Sequence, residues 1–418
     1  MTQGFFSILK NKDFSKLWSA QVLSQLAFNM LNFALILKIY RTTGSITSVS
    51  LVLISSALPS IIFGPFSGVI ADRLNYKTIL VFTNVLRFLA VLLLILADGN
   101  VLAVLEVVFL INAITQFFAP AENSSFPLII SKEKLINANS LSISTLYAAL
   151  LVGYSIGGPV YAAVGSTLFF IFCAFLYLIS ALLCYKMSDY DKKEIRVLNI
   201  LTFARDISSV WADTKNGIKY IYRKVNVRSP LIKFSTGWIV LGSFVVLLPA
   251  FGESVLKIAA TNIGWSIIAP AGLGMLAGAY IIQKRGETIN KRQTVDTGFI
   301  FVSLGFIALV VYPLYQPFFF ARELMVLFTM IMGFGTAMVY ISSQTMLHIN
   351  SDPEMRGRVF GITLMMANLA MSLPGLFVGG LADLTSPFIA MAILGILLSA
   401  YTIQNYAGKN WQRELGIS

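Results

Sequence analysis

The stretch LFFIFCAFLYLISALLCYKM, Leu168–Met187, carries no charge before Lys186, and a polar run, SDYDKKEIRVLNILTFARDISSVWADTKNGIKYIYRKVNVRSP, 188–230, follows it. A helix rises about 1.5 Å per residue and a bilayer's hydrocarbon core is about 30 Å thick, so about twenty apolar residues suffice to cross it. The first stretch therefore predicts a membrane span, and the second a break in a membrane domain. Working outward, eleven more such runs are found: Leu17–Ile39, Thr47–Ala71, Thr78–Leu96, Val101–Phe118, Leu141–Val164, Leu231–Phe251, Ile263–Ile282, Thr294–Tyr312, Phe318–His348, Val359–Ala382 and Phe388–Ala407. With 57% hydrophobic and 12% charged residues, little of the chain is left for a large soluble domain. The runs are continuous and do not alternate residue by residue, which excludes a transmembrane barrel.

The expected fold is thus an all-α membrane protein of twelve transmembrane helices in two pseudo-symmetric six-helix halves, residues 1–187 and 231–418. The linker between them, 188–230, spaces Phe203, Ile207, Val210, Trp211, Ile218, Ile221, Tyr222 and Val225 as one face of an amphipathic helix on the cytoplasmic membrane surface. Most of the 31 Lys and Arg residues fall in the termini, the linker and every second loop, so both termini are expected in the cytoplasm of an integral, multi-pass cytoplasmic (inner) membrane protein. The net charge of +12 follows from that asymmetry and from contact with membrane lipid, and gives no support to nucleic-acid binding. The first apolar run is too long for a cleavable signal and is expected to remain as a helix. Two cysteines, Cys173 and Cys184, both in the sixth span, allow neither a disulfide framework nor a thiolate metal site, so no metal and no cofactor is expected.

Internal duplication is faint: Glu133 precedes Gly158 as Glu354 precedes Gly379, by the same 25 residues. A duplicated carrier places its substrate near the bilayer midplane between halves and exposes it to each side in turn.

The segment Gly68-Val-Ile-Ala-Asp72-Arg73-Leu-Asn75-Tyr76-Lys77 resembles the signature loop of the major facilitator superfamily, with Asn75 and Tyr76 standing where the superfamily usually has Gly and Arg. Phe14-Ser-Lys-Leu-Trp18 with Ser24-Gln25, Thr43-Gly44-Ser45, the run from Glu133 to Ser140, and Asp352-Pro353-Glu354-Met355-Arg356-Gly357-Arg358-Val359 are similar to the branch holding macrolide and enterobactin exporters. The resemblance implies a transporter, not an enzyme. It also implies a conformational latch at Asp72, with Arg73 and Lys77 as charge partners and Arg356 or Arg358 across the gap; these charges also read as topology signals alone. Gly153-Tyr-Ser-Ile-Gly157-Gly158-Pro159 resembles the glycine-proline motif of the superfamily's exporters, and reads equally as ordinary close packing.

For the substrate path, Gln21, Gln25, Asn29 and Asn32 recur at spacings of four, four and three, which places four amides on one face of the first span. Facing lipid they would be costly, so they line a cavity or bond a neighbouring helix. Asn112, Gln116, Tyr147, Tyr154 and Trp238 are further candidates, and amides with aromatics suit a bulky amphipathic ligand, uncharged or cationic. No GxxxxGK[ST] loop supports ATP hydrolysis, which leaves protons or another coupling ion. The candidate acids are Glu106, Glu122 and Glu323, with Glu253, each of which also reads as a solvated helix-end group. Arg87 is the deepest charge; it pairs with an acid, contacts ligand or serves the structure. The function expected is proton-coupled export of hydrophobic or amphipathic small molecules, with uptake or exchange of a metabolite or lipid-like solute, or a non-transporting receptor on the same scaffold, as alternatives.

Overall fold

The computed structural model describes residues 8–97, 99–131, 134–189, 214–285 and 289–414, of which the side chains at 65, 69, 72, 73, 136 and 407–414 are left aside. Among the described residues there is no strand. The long helices are α1 Lys12–Thr43, α2 Ile46–Arg73, α3 Tyr76–Leu96, α4 Val101–Ile129, α5 Leu135–Tyr185, α6 Val225–Ser254, α7 Ala269–Arg285, α8 Lys291–Tyr315, α9 Ala321–Asn350, α10 Arg356–Leu384 and α11 Pro387–Glu414. Each belongs to a span long and apolar enough to cross a membrane, that of α7 starting ahead of the helix at Ala260. Twelve spans become eleven helices because α5 takes in two of them, broken at Gly165, whose φ of +77° is open to glycine and strained for any residue with a Cβ.

The described residues form two compact units, 8–42 with 54–189 and 43–53 with 214–414. In the first unit α3 packs on α4 and α5. Its α1 lies against α5 through Trp18 Nε1 to Thr145 Oγ1 at 2.8 Å and Ser180 Oγ to the Ala20 carbonyl at 3.1 Å. A Cβ at Gly153 would stand 2.6 Å from that of Asn29, and one at Gly157 3.2 Å from the Met30 Cα, so these glycines set how closely the two helices approach. Within the second unit α9 packs on α7, α8 and α6, and α6 also on α10 and α11.

One departure from the sequence reading has a physical cause. The fourth span, expected to end at Phe118, continues as helix through Pro120 and Pro127 to Ile129, because Ala121, Glu122, Ser125 and Phe126 turn inward and are buried. Of the amphipathic linker helix, residues 203–213 lie outside the described residues, while 214–223 are helical. There Ile221 joins an apolar cluster with Val227, Leu231, Leu347, Val359 and Ile362, so this part of the linker packs on protein.

Candidate functional site

On α1 the amide stripe divides by how its hydrogen bonds are spent. Gln21 is buried and donates through Nε2 to Ser142 Oγ at 2.6 Å, tying α1 to α5. Asn29 and Asn32 instead donate back along their own helix, to the carbonyls of Gln25 at 2.8 Å and Phe28 at 2.9 Å. On α4, Asn112 donates to the Val108 carbonyl at 2.9 Å and Gln116 to that of Asn112 at 3.3 Å. Such back-bonding satisfies half of each amide and leaves its oxygen free to accept. Gln25, Asn32 and Gln116 are only partly buried, and the Gln116 oxygen lies toward Gly64 of α2.

Each unit has aromatic rings of its own. In the first unit Tyr154 lies 5.7 Å from Phe33, centroid to centroid, while Tyr147 is exposed. In the second unit Phe234 and Trp238 of α6 pack with Tyr340 of α9, at 5.0 Å and 5.5 Å, and Trp238 Nε1 has no acceptor.

The candidate acids separate by burial. Glu106, Glu253 and Glu323 are exposed, and Glu253 accepts from the Ala260 amide at 3.1 Å. Glu122 is buried at 5% exposure, in electrostatic range of Arg87, itself buried at 3%. The Arg87 guanidinium rests over the rings of Phe118, at 4.7 Å, and Tyr177, at 5.6 Å.

Around the signature loop, Asn75 caps α3 by accepting from the Thr78 amide at 3.2 Å and donates through Nδ2 to Asp189 at 2.8 Å. A side chain with cap chemistry therefore stands where the family usually has glycine. The Asp72 and Arg73 side chains lie outside those described. Lys77 lies 5.6 Å from the Tyr185 ring, Arg356 Nε donates to the Ser351 carbonyl at 3.3 Å, and Arg358 Nη1 lies 3.3 Å from Met355 Sδ. Among the described residues no group of three His, Cys, Asp or Glu side chains could hold a metal ion.

Sequence reasoning passed over several polar groups. Lys233 of α6 and Asp296 of α8 form a direct ion pair with both side chains largely buried. Asp296 lies inside the apolar run 294–312, and an acid within an expected span was the signal for it. Asp383, near the end of α10, accepts from Ser45 Oγ at 2.7 Å and from the amides of Ile46 at 2.8 Å and Thr47 at 3.0 Å, capping the start of α2. Its setting Gly379-Gly-Leu-Ala-Asp383 echoes Gly68-Val-Ile-Ala-Asp72, a repeat that was legible. Lys224 and Asp352 meet at 2.6 Å in the open; this hydrogen bond holds the Asp352 carboxyl below, and the Lys224 ammonium above, their usual ranges.

The family model for the Major Facilitator Superfamily matches residues 17–373. The chain belongs to the Major Facilitator Superfamily. Its similarity to YkuC, an uncharacterized MFS-type transporter of Bacillus subtilis (strain 168), is 30% identity over 295 residues, 68% of this chain and 66% of that protein, just under two thirds of its length. With macrolide efflux protein A of Streptococcus pyogenes it shares 25% over 385 residues, 86% of each. Among solved structures, the nucleoside transporter NupG superposes with a TM-score of 0.74 over 94% of this chain and 98% of that one, at 13% identity, a likeness of fold alone. This superfamily member is therefore a multi-pass, all-α membrane transporter.

Proposed function

We propose that the chain exports bulky amphipathic small molecules, uncharged or cationic, by alternating access driven by proton entry, in a cytoplasmic membrane with both termini inside. The observation that carries this reading is the state of the amides. Asn29, Asn32, Asn112 and Gln116 spend their NH2 groups on their own helices, which leaves their oxygens able to accept from a ligand. In the second unit Trp238, with an unpaired indole N–H among Phe234 and Tyr340, offers an aromatic surface of the kind that takes apolar and cationic groups. Similarity to a protein named for macrolide efflux supports the direction and the ligand class. Gln21, bonded to Ser142, serves the α1–α5 contact, and Tyr147 contributes from an exposed position. Asp72, with Arg73, Lys77, Arg356 and Arg358, keeps a role in the balance of conformational states.

The test is uptake of a panel of fluorescent dyes and macrolides into energised inverted vesicles, with and without a protonophore. Accumulation that the protonophore abolishes is the expected result, and Asn29→Ala with Asn32→Ala should reduce it by about tenfold, the equivalent of one hydrogen bond to a charged or well-placed ligand group. Binding of the same compounds without any flux would overturn the transport reading in favour of a receptor.

A further inference from the structure

Halfway along the 21 residues of α3, Asn84 and Arg87 stand one turn apart, at 0% and 3% exposure. Glu122 faces them from α4, and Tyr177, fully buried, from the second arm of α5. Five of their polar atoms are enclosed with no hydrogen-bond partner: Asn84 Oδ1, Arg87 Nε and Nη2, Glu122 Oε1 and the Tyr177 hydroxyl. Orphaned polar atoms are rare in protein interiors, and so many in one place inside a membrane domain mark a functional cluster.

The arrangement of the charges is informative. Arg87 and Glu122 are close enough to interact electrostatically, yet no ion pair joins them; the guanidinium is spread over Phe118 and Tyr177 instead. A buried carboxylate without its counter-ion is very costly, whereas a neutral carboxylic acid is far less so. Guanidinium stays charged at any physiological pH, and aromatic faces are one of the few dry surfaces that accommodate it. The geometry is that of a neutral acid beside a cation held on rings.

We propose that Glu122 is the group that carries the coupling proton and that Arg87 is its two-position counter-ion. The proposal rests on the proton-driven reading above. With the proton bound, Arg87 is parked on Phe118 and Tyr177. With the proton gone, it bonds the Glu122 carboxylate. Loading transfers a proton from hydronium to a Glu122 oxygen: one O–H bond forms, one breaks, water is left, and the Arg87 to carboxylate hydrogen bonds are released. Unloading is the reverse. The charged and titratable groups in electrostatic range of Glu122 are Arg87 from α3 and Cys184 from α5, and Tyr177 stands against Arg87.

The experiment uses the full chain in lipid vesicles, with infrared spectra recorded across pH to follow the carboxylic-acid carbonyl band and no transported compound present. The wild type should show a titrating band that Glu122→Gln removes. Phe118→Leu weakens the parking place but leaves the Tyr177 ring, so at a fixed pH the ratio of acid to carboxylate should fall roughly fivefold, the strength of a modest cation–π contact. Phe118→Trp should restore it. A band that survives Glu122→Gln, or a ratio unchanged in Phe118→Leu, overturns the proposal. A parallel assay of ethidium flux separates the two levels: Glu122→Gln should retain downhill exchange and lose protonophore-sensitive accumulation. If the wild type moves no ethidium while the Glu122 band titrates as described, the ligand reading fails and the proton site stands.

Discussion

In the second unit the Lys233 ammonium meets the Asp296 carboxylate directly, whereas in the first the Arg87 guanidinium lies on aromatic rings and leaves Glu122 unbonded. Both arrangements bury an acidic and a basic side chain between apolar helices, so burial does not tell them apart. Satisfaction does. A closed pair neutralises itself and fixes one geometry; an open pair retains valences that a proton or a water can use, and costs stability to keep. On the proposal above, the first kind belongs to the scaffold and the second to the cycle.

The largest effect should come from breaking the closed pair. Asp296→Ala strands a buried ammonium beside Arg292, a like charge on the same helix as the lost acid, and should cost about 3–5 kcal/mol of stability. The thermal unfolding midpoint of the purified protein in detergent measures this, and Lys233→Met combined with Asp296→Leu should recover most of the loss. Glu122→Gln, by contrast, replaces a group with no direct partner by a neutral one of the same shape, and should stay within about 1 kcal/mol of the wild type. Equal losses in Asp296→Ala and Glu122→Gln would erase the distinction between the two pairs.

A carboxylate bound to backbone instead of to a cation tests the middle of the range. Asp383 accepts three hydrogen bonds at the start of α2, where the helix presents unpaired N–H groups and the positive end of its dipole, and Ser50 Oγ adds a bond to the Gly375 carbonyl at 2.7 Å. Asp383→Ala should cost about 1 kcal/mol and Asp383→Asn less, because an amide oxygen still caps. Loss as large as that of Asp296→Ala would show that the number of bonds outweighs burial in setting the scale.

The spans were legible because a lipid-facing helix must be apolar for some twenty residues, a signal that no tertiary contact can counterfeit. Their ends were not: α4 outruns its apolar stretch since Glu122 and Ser125 are buried by neighbours that only the fold supplies. Arg87 and Glu122 could each be singled out as deep or displaced charges. That they face each other could not, since they are 35 residues apart on different helices. The amide stripe of α1 was visible as a spacing, but whether an amide bonds its own helix, like Asn29, or another, like Gln21, depends on where α5 comes to lie. Lys233 escaped notice because it stands two residues past the start of an expected span, where a lysine is ordinarily a boundary marker.

The smallest effect marks the exposed limit of the same scale. Lys224 and Asp352 are joined as directly as Lys233 and Asp296, by bonds of 2.8 Å and 2.6 Å, but in water, where desolvation costs little and screening takes most of the attraction. The sign of the pH effect follows from the two shifts. Asp352 is held low by its hydrogen bond from Lys224, so its contribution is whole above the ordinary carboxylate value of about 4 and is lost as pH falls through the lowered one. Lys224 is held high by the same bond, so its contribution is whole below the ordinary lysine value of about 10.4 and is lost as pH rises through the raised one. Between these limits the pair adds a small constant increment to the docking of the linker's end beside α10. Unfolding midpoints of the wild type and Asp352→Asn, followed from neutral pH down to pH of about 3 at low salt, should therefore differ slightly at neutral pH and converge in acid. Added salt should shrink the difference further. A gap that persists in acid, or that salt leaves untouched, would mean that the Asp352 carboxyl group acts through hydrogen bonding, as with the Tyr220 hydroxyl, and not through charge, and that directness without burial contributes nothing electrostatic here.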